Sequence, residues 1–561
     1  MILLPLVFGA ALAAPALEDG VVTLKVTWQS WEVTQPWVKT NPTLRIAQAV
    51  VVKGSPHPLL LTTAQMVAHA THIRASKHGE PGEAPARVLY EDREANLALV
   101  AVDEPSFFDD LDPIRMARRP SGDVQITRWR NNQFETSRGR VSRALVAESA
   151  TGVLKSVALR VQTDIQGGGW SEPVFSGRAL AGLSTGQTGS DMQVLPAPFL
   201  STWLEEVQGT GRMRPWPGQI GAIFQEIRSP TLAGWLGLDS PRGILVRRVD
   251  QGGSACGVIR KDDVLLSFDG LEIDGDGNIR DPDHGLLWFE VLLSSHHAGD
   301  VVPIRVRRDG VDRDLALPLR SYTAASWLIP SDLVGPPAYL VAGGLVFREF
   351  DATYPTASSE LGILKQMKRT AQTADRRRIV LLSSVLPDPY NLGYQGTSHL
   401  PVASVNDRPI DAVRDMVEAL EHPVEGFHVI RFLPNPRLNE IVLDAATLGE
   451  ATTRIAQAYG IPAVYRPGTQ PPDLGPACAS SESLEVGRLE LDLGDGQVGV
   501  RALPGLGDAD LDVAERSPAV PGDCGDLDPL EARSVLDGVG ERAVVGRDLH
   551  GLDPGVGLGP L

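Results

Sequence analysis

Asp164-Ile165-Gln166-Gly167-Gly168-Gly169-Trp170-Ser171-Glu172-Pro173-Val174 is the stretch on which the reading of this 561-residue chain turns. Three consecutive glycines free the backbone for a tight loop. An indole, a hydroxyl and a carboxylate then follow in a row, and Pro173 leads into an apolar run that reads as a strand.

Outward from that loop the chain reads as a series of units. Between residues 21 and 207, β-rich runs recur at 22–26, 47–52, 87–90, 97–102 and 157–162, bounded by Gly, Pro and charge. That spacing predicts a β-barrel or sandwich. Residues 197–207 carry helical periodicity, as a closing helix would. Residues 212–219 read as a linker. A second unit, 219–319, reads as strand, loop, strand, turn, short helix (290–294) and a final hairpin of 302–306 with 314–319. Residues 321–337 read as a second linker. A third unit, 338–466, has strands at 379–382 and 402–405. Its helix at 411–421 puts Ala412, Val413, Met416, Val417 and Leu420 on one face.

Four stretches of the first unit carry a family likeness: Leu60-Leu61-Thr62-Thr63-Ala64-Gln65-Met66-Val67, Asn96-Leu97-Ala98-Leu99-Val100, the Ser76-Lys77-His78-Gly79 hairpin and the opening loop with residues 179–185 after it. They resemble the Deg/HtrA family of trypsin-like serine proteases with PDZ domains, in a degenerate form. In that family the loop reads Gly-Asn-Ser-Gly-Gly-Pro, a His follows Leu-Thr-Asn-Ala, and an Asp precedes Leu-Ala-Leu. Aligned so, Gln65 stands at the base and Asn96 at the orienting carboxylate. The loop is two residues short. Counted back from Pro173 the nucleophile is Trp170; one deletion placed later makes it Ser171.

Such chemistry needs a nucleophile, a base that takes its proton, a carboxylate that orients the base, and N–H groups aimed at the oxyanion. An amide at 65 cannot exchange a proton near neutral pH, and Asn96 cannot stabilise an imidazolium. Glu172 replaces a Gly and brings negative charge toward an oxyanion. A helical turn moves His69 about 6 Å along the axis, too far for direct replacement, so His69 and His72 read as exposed histidines. Asp92 reads as a loop charge.

The second unit resembles a PDZ domain of the same family on Gln219-Ile220-Gly221-Ala222-Ile223-Phe224, Gly243-Ile244-Leu245-Val246 and Asp262-Asp263-Val264-Leu265-Leu266-Ser267-Phe268-Asp269-Gly270. PDZ domains add a peptide as a strand and hold its carboxylate with backbone N–H groups. The resemblance assigns those contacts to Ile220, Gly221, Ala222 and Ile223. The third unit resembles the divergent second PDZ of longer Deg proteases on residues 339–347, Asn391-Leu392-Gly393-Tyr394 and Val402-Ala403-Ser404-Val405-Asn406-Asp407, a domain that serves assembly. Asp274-Gly275-Asp276-Gly277-Asn278 opens like a calcium loop, but Ile279 and Gly285 stand where that loop needs Gly and Glu. No metal or cofactor is expected.

The net charge of −18 argues against nucleic acid. From Arg466 onward about 18 acidic residues face about 7 basic ones, and no aromatic residue or Lys follows Tyr465. That tail is expected to be disordered. Residues 2–14 with Ala14-Pro15-Ala16 read as a signal peptide, and no run is long enough for a membrane span. Of the three cysteines, Cys478 and Cys524 share the tail and could pair; Cys256 lies in a globular stretch.

The sequence therefore predicts a mainly β, multidomain chain. Residues 1–16 form a signal peptide and 17–210 a degenerate trypsin-like double barrel. PDZ units follow at 213–322 and 338–466, then an acidic tail at 467–561. The expected function is binding of polypeptides or protein C-termini through the first PDZ, without proteolysis, outside the cytoplasm, in trimer-based homo-oligomers or with active relatives. The alternatives are an active endopeptidase using Ser171 with a non-standard base, and a purely structural assembly protein.

Overall fold

The computed structural model describes residues 20–77, 82–130, 133–331, 335–354, 370–374, 376–433, 438–475 and 477–478. The expected leader, His78 and Gly79, Cys524 and the chain beyond Cys478 lie outside them.

Twelve strands close into two six-stranded barrels. The first holds β1 (Val21–Trp28), β2 (Thr43–Val52), β3 (Leu59–Thr62), β4 (Ala70–Ser76), β5 (Ala84–Asp92) and β6 (Leu97–Val102), in the order β1-β2-β3-β6-β5-β4. The second holds β7 (Asp123–Arg130), β8 (Gln133–Glu148), β9 (Lys155–Thr163), β10 (Pro173–Ser176), β11 (Ala179–Thr188) and β12 (Asp191–Pro196). Its order is β10-β11-β12-β9-β8-β7. Helix α1 (Ala64–Val67) sits just after β3, and α2 (Ala197–Thr210) follows the second barrel. Closure leaves neither sheet an open edge. Each barrel fills with its own inward residues: Val22, Leu24, Val51 and Leu60 in the first, Ile126, Val161, Val174 and Val194 in the second.

The second unit is one antiparallel sheet: β13 (Ala222–Glu226), β14 (Ile244–Val249), β15 (Val264–Phe268), β19 (Val301–Arg308) and β20 (Val311–Pro318), with β16 (Leu271–Glu272) paired to β15. A hairpin of β17 (Asn278–Asp281) and β18 (Gly285–Trp288) precedes a 3-10 helix, Phe289–Ser295, where the short helix was expected. β19 alternates exposed and buried residues from Val301 to Val306, the period-two pattern of a half-buried strand. The third unit is an eight-stranded sheet built around β21 (Tyr339–Ala342), β22 (Leu345–Glu349), β23 (Val380–Val385), β24 (Leu400–Val405), β26 (Phe427–Phe432) and β27 (Glu440–Asp444). The expected helix runs Val413–Leu420.

One apolar cluster runs through the facing walls of both barrels into the second unit: Leu61 and Leu99, Phe175 and Leu183, Trp203 on α2, then Ile244, Phe268 and Phe289. The two expected linkers are accordingly packed segments. Met213 and Trp216 are buried in the first, and Tyr322, Trp327, Leu328 and Ile329 in the second. Asp92 corrects its expectation as a loop charge. It is buried, and its Oδ2 accepts the indole N–H of Trp203 at 2.8 Å and of Trp216 at 2.9 Å. The third unit rests on the loop between β1 and β2: the Ser383 and Ser384 hydroxyls donate to the carbonyls of Val33 and Thr34, and Trp37 packs on Tyr339.

The cysteine pairing also differs from expectation. Cys256 of the second unit is bonded to Cys478, 222 residues away. The first tail residues run back over the second unit as an irregular segment in which Leu474 and Cys478 are buried.

Candidate functional site

Three pieces of chain meet in the cleft between the barrels: the end of β3 with α1, the turn before β6, and the loop between β9 and β10. Asn96 occupies that turn with φ +54°, a left-handed conformation Asn tolerates better than most side chains. Its Oδ1 accepts the main-chain N–H of Gln65 at 2.9 Å, and its amide N–H lies 3.4 Å from Gln65 Oε1. Gln65 Nε2 donates to the carbonyls of Gly169 and Thr185, both at 3.1 Å. The side chains of Gln65 and Asn96 therefore converge, and Gln65 reaches across to the second barrel.

Trp170 and Ser171 are separated by the loop's fold. Trp170 is 46% exposed, and its carbonyl accepts the N–H of Gln48 at 3.2 Å. Ser171 has φ +67° and is fully buried. Its Oγ accepts the N–H of Thr63 at 3.1 Å and lies 3.1 Å from Thr62 Oγ1. Neither histidine weighed at the sequence level is among the side-chain partners of Ser171 in the described residues. His69 packs edge-on against Trp28, and the Arg93 and Arg45 charges add to its burial in holding its pKa below the usual value. His72 Nε2 accepts from Arg74 at 2.9 Å.

The N–H groups of Gly168, Gly169 and Trp170 already have acceptors. Glu172, buried, takes the N–H groups of Gly169 and Trp170 on one oxygen, each at 2.8 Å, and the Ser184 hydroxyl donates to the same atom. Gln187 Oε1 takes the N–H of Gly168 at 2.7 Å. Gly169, φ +99°, lies so close to β11 that a Cβ would fall 2.7 Å from Gly186 Cα. Sequence reasoning placed the Glu172 charge here but missed its partners and the part played by Gln187 and Thr185. Those contacts join residues on β11 to a loop distant in sequence, and no local pattern signals them.

In the second unit, Ile220 and Gly221 lead into β13, which pairs with β14 and forms the sheet's edge. Ile220 is fully buried, and its carbonyl accepts the N–H of Ala255 at 2.8 Å. Gly221 has φ +73°, and a Cβ there would meet Gly253 Cα at 2.6 Å. Ala222 and Ile223 open the edge strand, Ile223 being exposed. Phe224, further along, packs on Phe289 with ring centroids 5.3 Å apart. The calcium-like stretch is occupied by protein contacts: Asp274 Oδ1 accepts the N–H groups of Asp276 and Asn278, and Asp276 pairs with Arg228.

Comparison with known proteins adds relatives. Residues 331–467 match the model of a PDZ domain. Protease Do-like 2, chloroplastic, of Arabidopsis thaliana is 25% identical over 459 residues, covering 79% of this chain and 74% of the relative. Putative protease Do-like 3, mitochondrial, of the same plant is 24% identical over 448 residues, 78% of each chain. Among solved structures, the HtrA-type protease AlgW with decapeptide is similar at 18% identity and a TM-score of 0.41, covering 54% of this chain and 96% of that one. Among the described residues no helix is long and apolar enough to cross a membrane. The relatives of this chain are Deg/HtrA proteases, and with the PDZ match over residues 331–467 it resembles the Deg/HtrA family of trypsin-like serine proteases with PDZ domains.

Proposed function

We propose that this chain is a proteolytically inactive Deg/HtrA protein that binds polypeptides or protein C-termini through the PDZ unit of residues 213–322. One observation carries the reading. The amide of Gln65, beside Asn96, spends both Nε2 hydrogens on main-chain carbonyls of the second barrel. A general base needs a pKa near the working pH; a carboxamide has none, and the Gln65 oxygen faces the Asn96 amide. Gln65, Asn96 and Trp170 are then the remnants of a triad. Ser171 is a weaker candidate for the nucleophile, because its oxygen is buried against Thr62 and Thr63. Ile220, Gly221, Ala222 and Ile223 would receive the peptide at the open edge of β13.

The chain would work outside the cytoplasm, which the Cys256–Cys478 bond supports, since disulfides persist in oxidising compartments. It would assemble as a trimer-based homo-oligomer or beside active relatives, a point that light scattering checks. The deciding experiment exposes the full chain to unfolded casein and a fluorophosphonate probe. No cleavage and no labelling are expected; casein hydrolysis lost in Ser171→Ala overturns the proposal.

A second reading, a PDZ fold used for assembly, is favoured by Phe224 packed on Phe289 and by the ion pair of Glu290 in the second unit with Lys155 of the second barrel. On that reading peptides with free C-termini fail to bind, and altering Gly221 changes nothing in function.

A further inference from the structure

The segment after the third unit contains Leu474, buried against the Gly252 turn, and Cys478, bonded to Cys256 in the second unit. Leu474 Cδ2 lies 3.3 Å from where a Cβ on Gly252 would stand. The Gln251 amide donates to the carbonyl of Gly475 at 3.1 Å, and the Arg377 guanidinium donates to the carbonyl of Pro472. Among its described residues the segment has no helix or strand after Arg466. Among its described residues, Leu474, the Gln251 hydrogen bond and the disulfide hold it to the second unit, and Arg377 holds Pro472 to the third.

Its landing place is specific. The turn of residues 250–257 is also what supports Ile220 and Gly221. The N–H groups of Asp250 and Ala255 donate to the carbonyls of Gly221 and Ile220, each at 2.8 Å, and Gly253 abuts Gly221. Leu474 bears on one side of this turn and Cys256 lies at its other end. The strap and the expected carboxylate loop thus share one buttress.

We propose that residues 467–478 form a redox-released strap. The Cys256–Cys478 bond clamps it onto the 250–257 turn, and reduction frees it and loosens the Ile220–Gly221 loop behind. The release needs a dithiol reductant. Its two sulfurs supply two electrons and two protons, the Cys256–Cys478 bond becomes two thiols, and the reductant becomes a disulfide. Conformational entropy opposes the ordering of a segment that has no helix or strand among its described residues, so loss of the covalent tie loosens it, and a looser turn costs the loop its preorganisation. The effect on ligand rests on the peptide-binding reading above; the effect on the turn does not.

The test uses the full chain, oxidised, dithiol-reduced and as Cys478→Ser. Mapping of the oxidised form should find Cys256 joined to Cys478 and Cys524 free; a bond from Cys524 to either overturns the clamp. Hydrogen exchange at 250–257 and 467–475 should quicken about tenfold or more in the reduced and Cys478→Ser forms, while the barrel strands stay protected. Equal exchange in all three forms overturns the proposal. A fluorescein-labelled decapeptide with a free C-terminal Val should bind the reduced form about fivefold more weakly. Faster exchange with no binding in any form keeps the strap and removes the peptide-binding reading.

Discussion

Glu172 Oε2 accepts the main-chain N–H of Trp170 at 2.8 Å, two residues back along the same loop. With Gly169 and Ser184 donating to the same atom, a buried carboxylate fills the concave side of the loop. Preorganised N–H groups serve catalysis only if they stay open for charge that develops in the transition state. Here a carboxyl group of the protein itself occupies them. Replacing Glu172 by Ala strips three donors, two of them buried, of their acceptor. At about 1–3 kcal/mol for each unsatisfied group, and less than additively, the loss should come to about 3 kcal/mol. Denaturant unfolding followed on the barrels checks this, and casein should remain uncleaved.

Ser171→Ala tests the same loop from its other side. The Ser171 hydroxyl satisfies the buried N–H of Thr63. Losing it should destabilise the barrels by about 1–2 kcal/mol, with no change in fluorophosphonate labelling, which should be absent in both proteins. A hydroxyl poised for chemistry would show the reverse: labelling in the parent, lost in the variant.

Asp92 ties the domains together. Its Oδ2 takes two indole N–H groups, from Trp203 on α2 and Trp216 on the way into the second unit. Asp92→Ala should leave both unsatisfied and loosen the junction by about 3 kcal/mol or more. The near-ultraviolet circular dichroism of the tryptophans should weaken, and proteolysis should reach residues 212–219, which the packed parent protects.

Local pattern in the sequence carried the architecture. The β-rich runs, the stretch from Leu60 to Val67 and the Gly221 loop sit in contiguous motifs, and contiguous motifs survive substitution of single residues. Gln65 and Asn96 lie in two such motifs, and the structure brings their side chains together. The partners of Asp92 and Cys256 were not legible. Asp92 finds its tryptophans more than 100 residues away, and Cys256 its mate 222 residues on. Such pairings follow from three-dimensional closure, and a carboxylate between two indoles has no local spacing to announce it. Composition misled at the linkers too, where Pro and Gly suggested exposure and Trp216 and Trp327 proved to be buried.

Gly221→Ala probes the edge of the second unit. A positive φ there already disfavours any other residue, and the added methyl meets Gly253 Cα at 2.6 Å. Binding of a peptide with a free C-terminus should fall about tenfold or more, while unfolding of the barrels is unchanged. Unaltered binding would assign the peptide to another surface.

His297 gives the junction a pH dependence. It is buried, its ring stacks on Trp216 with centroids 5.1 Å apart, and its Nδ1 lies 2.8 Å from Arg214 Nη2. A guanidinium only donates, so Nδ1 must be bare; Nε2 faces Glu206 Oε2 at 3.0 Å. Asp300 Oδ2 stands 4.0 Å from Nδ1, and neighbouring His296 pairs with Asp269. Burial, more than any other cause, holds the His297 pKa below the ordinary value; Arg214 adds to this, and Glu206 and Asp300 oppose it. With the folded value depressed, the unfolded chain takes up the proton first as pH falls. The stabilisation is therefore full above about pH 6.5 and declines as pH drops through that value, levelling off below the folded pKa. The thermal midpoint of the junction should fall between about pH 7 and pH 5, and fall less in His297→Gln, which keeps hydrogen bonding without a titrating ring. A parallel pH profile for the two proteins would remove His297 from the account.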